Sequence, residues 1–188
     1  GLPDVAREKL AEAKQLSDEP LVTFGLAEID FELGNFKQAI KEYASLDNRI
    51  IYEQTGVSTY QRIGVSYASL GKFEAAIEFL EKALEIEYDD TVAFELATIL
   101  YDQKEYQKAN LYFKQIDTIS QDFEGYEYGY ALSLHAEHQA EEALRLTQQG
   151  LSKNPFDTRL LLLASQLSYE LHDEQKAEEY LLQAQENA

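Results

Sequence analysis

The sequence contains no cysteine, no methionine and no tryptophan. Without thiols it can form no disulfide, no cysteine-ligated zinc site and no thiol nucleophile, and its side chains carry no redox chemistry. That absence is neutral about compartment. Proline is nearly missing, at three of 188 residues, and bases are scarce: 16 Lys+Arg stand against 35 Asp+Glu, a formal net charge of -19. The deficit is even along the chain, -5 over residues 1–56, -6 over 57–123 and -8 over 124–188, so the acidity reads as a solvated surface and not as a tail. Such a field repels phosphate backbones and anionic headgroups, and no local basic patch offsets it. Neither nucleic acid nor a membrane surface is expected as a partner. Long apolar runs are missing too: the longest, Leu160 to Ala164, falls far short of the roughly 20 residues a membrane span needs. No basic-then-apolar signal segment opens the chain, and a cytoplasmic protein is expected. Its start, Gly1-Leu2-Pro3, reads as that of a piece cut from a longer protein.

What is present is enough for a core, with 45% hydrophobic and 12% aromatic residues, and it is arranged with a period. Ala39, Ala76, Ala109, Ala143 and Ala177 are separated by 37, 33, 34 and 34 residues, and Ala6 extends the series back by 33. Three residues before Ala39, Ala76 and Ala109 stand Phe36, Phe73 and Tyr106. Four residues after the alanines come Leu10, Tyr43, Leu80, Phe113 and Leu181, with polar Thr147 the exception. Within the best-formed unit, Tyr60, Ile63, Gly64 and Tyr67, then Phe73, Ala76, Ile77, Leu80, Ala83 and Leu84, recur every three or four residues. That is one face of an α-helix, twice, interrupted at Gly71. Each unit is therefore two antiparallel helices that bury one face alone, so neighbouring units must stack. Small Gly64 and Ala76 let the pair approach closely.

This unit, Val57 to Asp90, closely resembles the tetratricopeptide repeat, whose aromatic, Leu-Gly, Tyr, Ala, bulky and Ala positions are taken by Tyr60, Ile63, Gly64, Tyr67, Ala76, Leu80 and Ala83. Departures are a terminal proline kept only at Pro155, and Ser165 and Ser168 where a small residue and tyrosine are usual. The turns Asn35-Phe-Lys-Gln-Ala39 and Gly71-Lys-Phe-Glu-Ala75 are similar to those of tetratricopeptide proteins of Gram-positive bacteria. The resemblance implies an all-α, right-handed superhelical solenoid, with a half repeat at 2–19 and five repeats at 20–56, 57–89, 90–123, 124–157 and 158–188. Capping side chains in Ser17-Asp18-Glu19-Pro20, Asp89-Asp90-Thr91 and Pro155-Phe-Asp157-Thr158 mark helix starts. The first full repeat carries three extra residues within 47–56, expected as a longer second helix or an irregular connection packed on the convex side.

In this family the first helix of each pair lines a concave, peptide-binding face. The positions carried across are Phe24, Glu28 and Phe31; Ser58, Gln61, Val65 and Ala68; Phe94, Thr98 and Tyr101; Tyr128, Leu132 and His135; and Leu162, Gln166 and Tyr169. Phe94, Thr98 and Tyr101 run at i, i+4, i+7, one helix face. Solvent-facing aromatics there mark a binding surface; the competing reading is that they bury one another or lie under a terminal segment. Gly125 and Gly129, placed beside Tyr128 and Leu132, are expected to leave a hollow for an apolar ligand side chain, or else to permit close helix packing. Family members that clamp a peptide carboxylate use lysines, asparagines and an arginine. Here Phe24, Glu28, Val65, Thr91 and Glu95 hold those places, so a chaperone-tail ligand is disfavoured. With Glu32, Asp102 and Glu170 flanking and only Arg62 and Arg159 nearby, the expected partner is a neutral or basic protein segment with apolar anchors.

No phosphate loop, nucleophile elbow or zinc-protease motif occurs, so neither an enzyme nor a cofactor is expected. His135, Glu137 and His138 are close in sequence but lack an evident third ligand, and reading them as surface residues is preferred over a metal site. The RNA-reading pentatricopeptide fold, with a period one residue longer, fits neither the charge nor the spacing. Self-assembly is the rival function: Leu160, Leu163, Tyr180, Leu181 and Leu182 of the last unit could pair with a second copy, since solenoid ends require polar caps.

Overall fold

The computed structural model describes residues 2–16 and 19–187, with side chains from Val5 onward. The described residues form twelve α-helices and no strand: α1 (Leu2–Leu16), α2 (Pro20–Glu32), α3 (Phe36–Ala44), α4 (Asn48–Thr55), α5 (Thr59–Ser69), α6 (Phe73–Ile86), α7 (Asp90–Asp102), α8 (Tyr106–Ile119), α9 (Tyr126–Ala136), α10 (Ala140–Lys153), α11 (Thr158–Glu170) and α12 (Glu174–Glu186). They divide into two compact units, Gly1–Val92 and Ala93–Ala188.

The α5–α6 pair shows why the small residues are where they are. A Cβ placed on Gly64 would lie 2.8 Å from Leu80 Cγ and 3.2 Å from the Ala76 carbonyl oxygen, so only hydrogen fits between the helices. Ala76 and Leu80 are fully buried. The reversal uses Gly71 at φ 70°, with the Gly71 and Lys72 amides donating to the carbonyls of Ala68 and Tyr67 at 2.9 Å each. This is the glycine C-cap in which two orphan carbonyls are satisfied. Gly34, Lys104, His138 and His172 hold the same left-handed conformation at the other pair turns.

In the first unit α1 packs on α2 through a forked ion pair. Arg7 Nε and Nη2 donate to the Asp30 carboxylate at 2.7 and 2.9 Å, and Asn35 Nδ2 donates at 2.8 Å. Asp30 is buried. Burial pushes its carboxyl up, but the hydrogen bonds from Arg7 and Asn35 outweigh that and hold it below the usual carboxylate range. Ala27, Ala39, Tyr43 and Ile63 form the core, with Phe24, Phe31, Tyr67 and Phe79 against it. Each large side chain so buried contributes about 2–3 kcal/mol.

The extra residues at 47–56 form neither a longer helix nor an irregular connection. The chain breaks after Ala44 and restarts as the separate helix α4. Asp47 Oδ1 accepts from the Arg49 and Ile50 amides at 2.9 and 3.2 Å, and Gly56 at φ 72° ends the helix. Ile51 is fully buried. Asn48 Oδ1 accepts from the Thr59 amide at 2.8 Å and the Thr59 hydroxyl at 3.0 Å, so the inserted helix pins the start of α5.

In the second unit Phe113 of α8 stacks on Tyr130 of α9, centroids 5.7 Å apart, and Leu160 of α11 packs into the space left by Gly150 of α10. Thr147, the polar exception at its repeat position, is buried with its hydroxyl donating to the Ala143 carbonyl at 2.8 Å. The caps at Asp89 and Asp157 form: Asp89 Oδ1 accepts from the Val92 amide at 2.9 Å, and Asp157 Oδ1 from those of Arg159 and Leu160 at 2.9 and 3.3 Å. The cap expected in Ser17-Asp18 lies outside the described residues.

Candidate interaction surface

In the first unit the inner residues of α2 and α5 are half-buried, not solvent-facing. Phe24 packs on Tyr43 at 6.2 Å between centroids, and Phe31 meets Phe36 edge-on at 5.7 Å. Arg62 lies over Phe31, its Cζ 4.9 Å from the ring centroid, and donates to both Glu28 carboxylate oxygens at 2.9 and 3.0 Å. The Tyr43 hydroxyl also donates to Glu28; burial, then that acidic acceptor, push its pKa up. Gln61, Val65 and Ala68 flank this cluster, half-buried. Ser58 belongs to the framework, since its hydroxyl caps α5 by accepting from the Gln61 amide at 3.3 Å.

In the second unit Phe94 packs on Phe113 and Phe123 at 6.1 and 5.7 Å, and Tyr101 on Tyr106 at 5.5 Å. The aromatics of α7 are thus half-covered by Tyr106 and Phe113 of α8 and by Phe123 beyond it, which corrects the expectation that they project into solvent. Thr98 is exposed, its hydroxyl bonded back to the Phe94 carbonyl at 2.8 Å. Tyr128 lies under Arg159, whose Cζ is 5.2 Å from its centroid and whose guanidinium pairs with Asp157 at 2.9 Å. Leu132 is half-buried.

The hollow beside Tyr128 and Leu132 does not exist. A Cβ on Gly129 would stand 3.0 Å from Phe113 Cζ, so the phenyl ring occupies the space and glycine serves close helix packing. Gly125 precedes α9 as its N-cap at φ 88° and is a turn residue, not a member of the helix face.

The structure does bring His135, Gln166 and Tyr169 to one place. His135 Nε2 lies 2.7 Å from Glu170 Oε2, and Gln166 Nε2 donates to Glu170 Oε1 at 3.0 Å. The bond from Gln166, then those with His135, hold the Glu170 carboxyl below its ordinary value against the upward push of burial. Beside this cluster Tyr169 is 66% and Leu162 49% exposed. They are seven residues apart on α11, hence on one face. Together with Gln166, Glu174, Ala177, Glu178 and Leu181 they line a shallow groove between α11 and α12. Sequence reasoning took the groove from first helices alone and gave Leu181 to self-association, so it missed that Leu181 lines this groove with Glu174, Ala177 and Glu178 of α12.

The expected self-association patch shrinks. Leu160 and Leu163 are each only 5% exposed and belong to the core, because the four-leucine run puts three residues on the packing side and Leu162 alone outside. Leu181 and Leu182 remain exposed, and Tyr180 accepts from Gln148 Nε2 at 3.2 Å. Among the described residues no three His, Asp or Glu side chains converge as a metal site, and no helix is long and apolar enough to cross a membrane.

Antiparallel helix pairs closed by left-handed turns, with Gly64 at the close contact of α5 and α6, are the all-α fold of tetratricopeptide-repeat proteins. Residues 1–49 match the family model described as YpiA-like tetratricopeptide repeats, and residues 57–90 that of the tetratricopeptide repeat. The TPR repeat-containing protein YpiA of Bacillus subtilis (strain 168) is 25% identical over 185 residues, covering 98% of this chain and 44% of that protein. The chain thus spans less than half of that relative. Among solved structures, MamA (41-end) from Desulfovibrio magneticus RS-1 superposes with a TM-score of 0.79 at 14% identity, over 91% of this chain and 96% of that one. YrrB, described as a TPR protein with an unusual peptide-binding site, gives a TM-score of 0.78 at 17% identity, over 95% and 92%.

Proposed function

We propose that the chain is a non-catalytic interaction module that binds a neutral or basic protein segment through apolar contacts on its first helices. The observation that carries this reading is the pair Leu162 and Tyr169, large side chains left open on one helix face beside a groove. Isolated exposed apolar residues need no explanation, whereas a contiguous patch in a groove does. The half-buried Phe24, Phe31, Gln61 and Val65 of the first unit, and separately Phe94, Tyr101, Tyr128 and Leu132 of the second, would supply further contact area at little ordering cost, since packed rings have little rotamer freedom to lose. Repeat arrays present extended surfaces suited to such binding, and YrrB, a protein of like fold, is described as having a peptide-binding site. The charge of -19 selects against acidic ligands. Selection of peptides on the immobilised chain from a random display library tests this: enriched sequences should carry two or more bulky apolar residues and no net negative charge. Enrichment of acidic peptides, or of none, overturns the reading.

A further inference from the structure

Within each unit the second helix of a pair receives the first helix of the next, α5 on α3, α9 on α8 and α11 on α10, whereas no described helix packs on α12 in that way. The residue four after the repeat alanine measures this on those helices: Tyr43 and Thr147 are fully buried and Phe113 is 1% exposed, yet Leu181 of α12 is 42% exposed. In the second unit, α9 covers Phe113 by bringing Gly129 and Tyr130 against it. Likewise Tyr128 lies under Arg159 and His135 beside Glu170, both of α11, whereas their counterparts on α11, Leu162 and Tyr169, stand open. The α11–α12 groove therefore has the form of a seat for a helix. Its floor is Leu162, Ala177 and Leu181, and its acidic rim is Glu174 and Glu178, one helical turn apart, with no base among the lining residues.

That rim decides what fits. A second copy laid face to face would set these glutamates against themselves, on chains that each carry -19, a like-charge contact that opposes association. We propose that this seat takes an amphipathic α-helix of a partner protein, its apolar stripe on Leu162, Tyr169 and Leu181 and its lysines or arginines against Glu174 and Glu178. The proposal rests on the binding-module reading and specifies the ligand's form and charge at one end of it.

The probe is a synthetic amphipathic peptide of about 15 residues, four helical turns, with a leucine and alanine stripe flanked by lysines, and a counterpart with glutamates in place of the lysines. The lysine form should bind the 188-residue chain one to one and gain helical circular dichroism, and the glutamate form should not bind. Leu162→Gln with Leu181→Gln, at exposed positions, should weaken binding about tenfold or more. Glu174→Lys with Glu178→Lys should do the same while letting the glutamate form bind. Equal binding to the leucine variant means diffuse attraction to an acidic protein and overturns the proposal. So does a dimer in sedimentation that Leu181→Glu dissociates, which gives the face to a second copy. If a longer form of the chain no longer takes the peptide, its own next helix fills the seat and the proposal also fails. Display-selected peptides that bind while the lysine helix does not would leave the module reading intact and remove only this inference.

Discussion

His138 and His172 sit at φ 60° and 63°, in the conformation that Gly34 and Gly71 adopt at equivalent turns, where a Cβ costs roughly 1–2 kcal/mol. His138→Gly and His172→Gly should each raise stability by about 1 kcal/mol in urea unfolding; a loss at either would show that its imidazole has a structural role. Titration acts on both flanks of neutrality. The carboxyls of Asp30, Asp157 and Glu170 are held low in the folded chain, that of Asp157 chiefly by Arg159. Their contribution is therefore whole above the unfolded values of about 4 and is lost as pH falls below them. Tyr43 and Tyr126 are held high, first by burial and then by the acceptors Glu28 and Asp117. Their contribution is whole below about pH 10 and is lost above it. Thermal midpoints should thus fall on both sides of a plateau, and Asp30→Asn should flatten the acid limb.

At the scale of the element, the inserted helix α4 is the departure from a regular repeat. Asn48→Ala removes the buried acceptor of the Thr59 amide and hydroxyl and should destabilise the chain by about 2 kcal/mol, with faster hydrogen exchange at Thr59 and Tyr60. An unchanged midpoint would mean that water replaces the carboxamide at no cost. The turn at Gly71 was legible in sequence because it interrupts the apolar period, and so was the close α5–α6 contact, because small Gly64 and Ala76 stand there. The break at 45–47 was not. Ile50, Ile51 and Tyr52 continue the apolar pattern, and only the Asp47 cap, which looks like any surface aspartate, separates α3 from α4. Spacing likewise placed Phe94 and Tyr101 on the first-helix face. It could not tell that Phe113, Phe123 and Tyr106 would cover them, since that depends on which rings the packing brings together.

For the whole molecule, evenly spread acidity means that a basic ligand is drawn in by the general field and held by specific apolar contacts, two contributions that salt separates. Added salt should slow association of such a ligand more than it speeds dissociation. The central claim is that the open face of α11 binds an apolar segment. It is tested most directly by calorimetric titration of one display-selected peptide into the native chain and into a Leu162→Ser, Tyr169→Ser variant whose unfolding midpoint is unchanged. The account predicts an affinity loss of about tenfold or more in the variant. An equal affinity for both chains would contradict it.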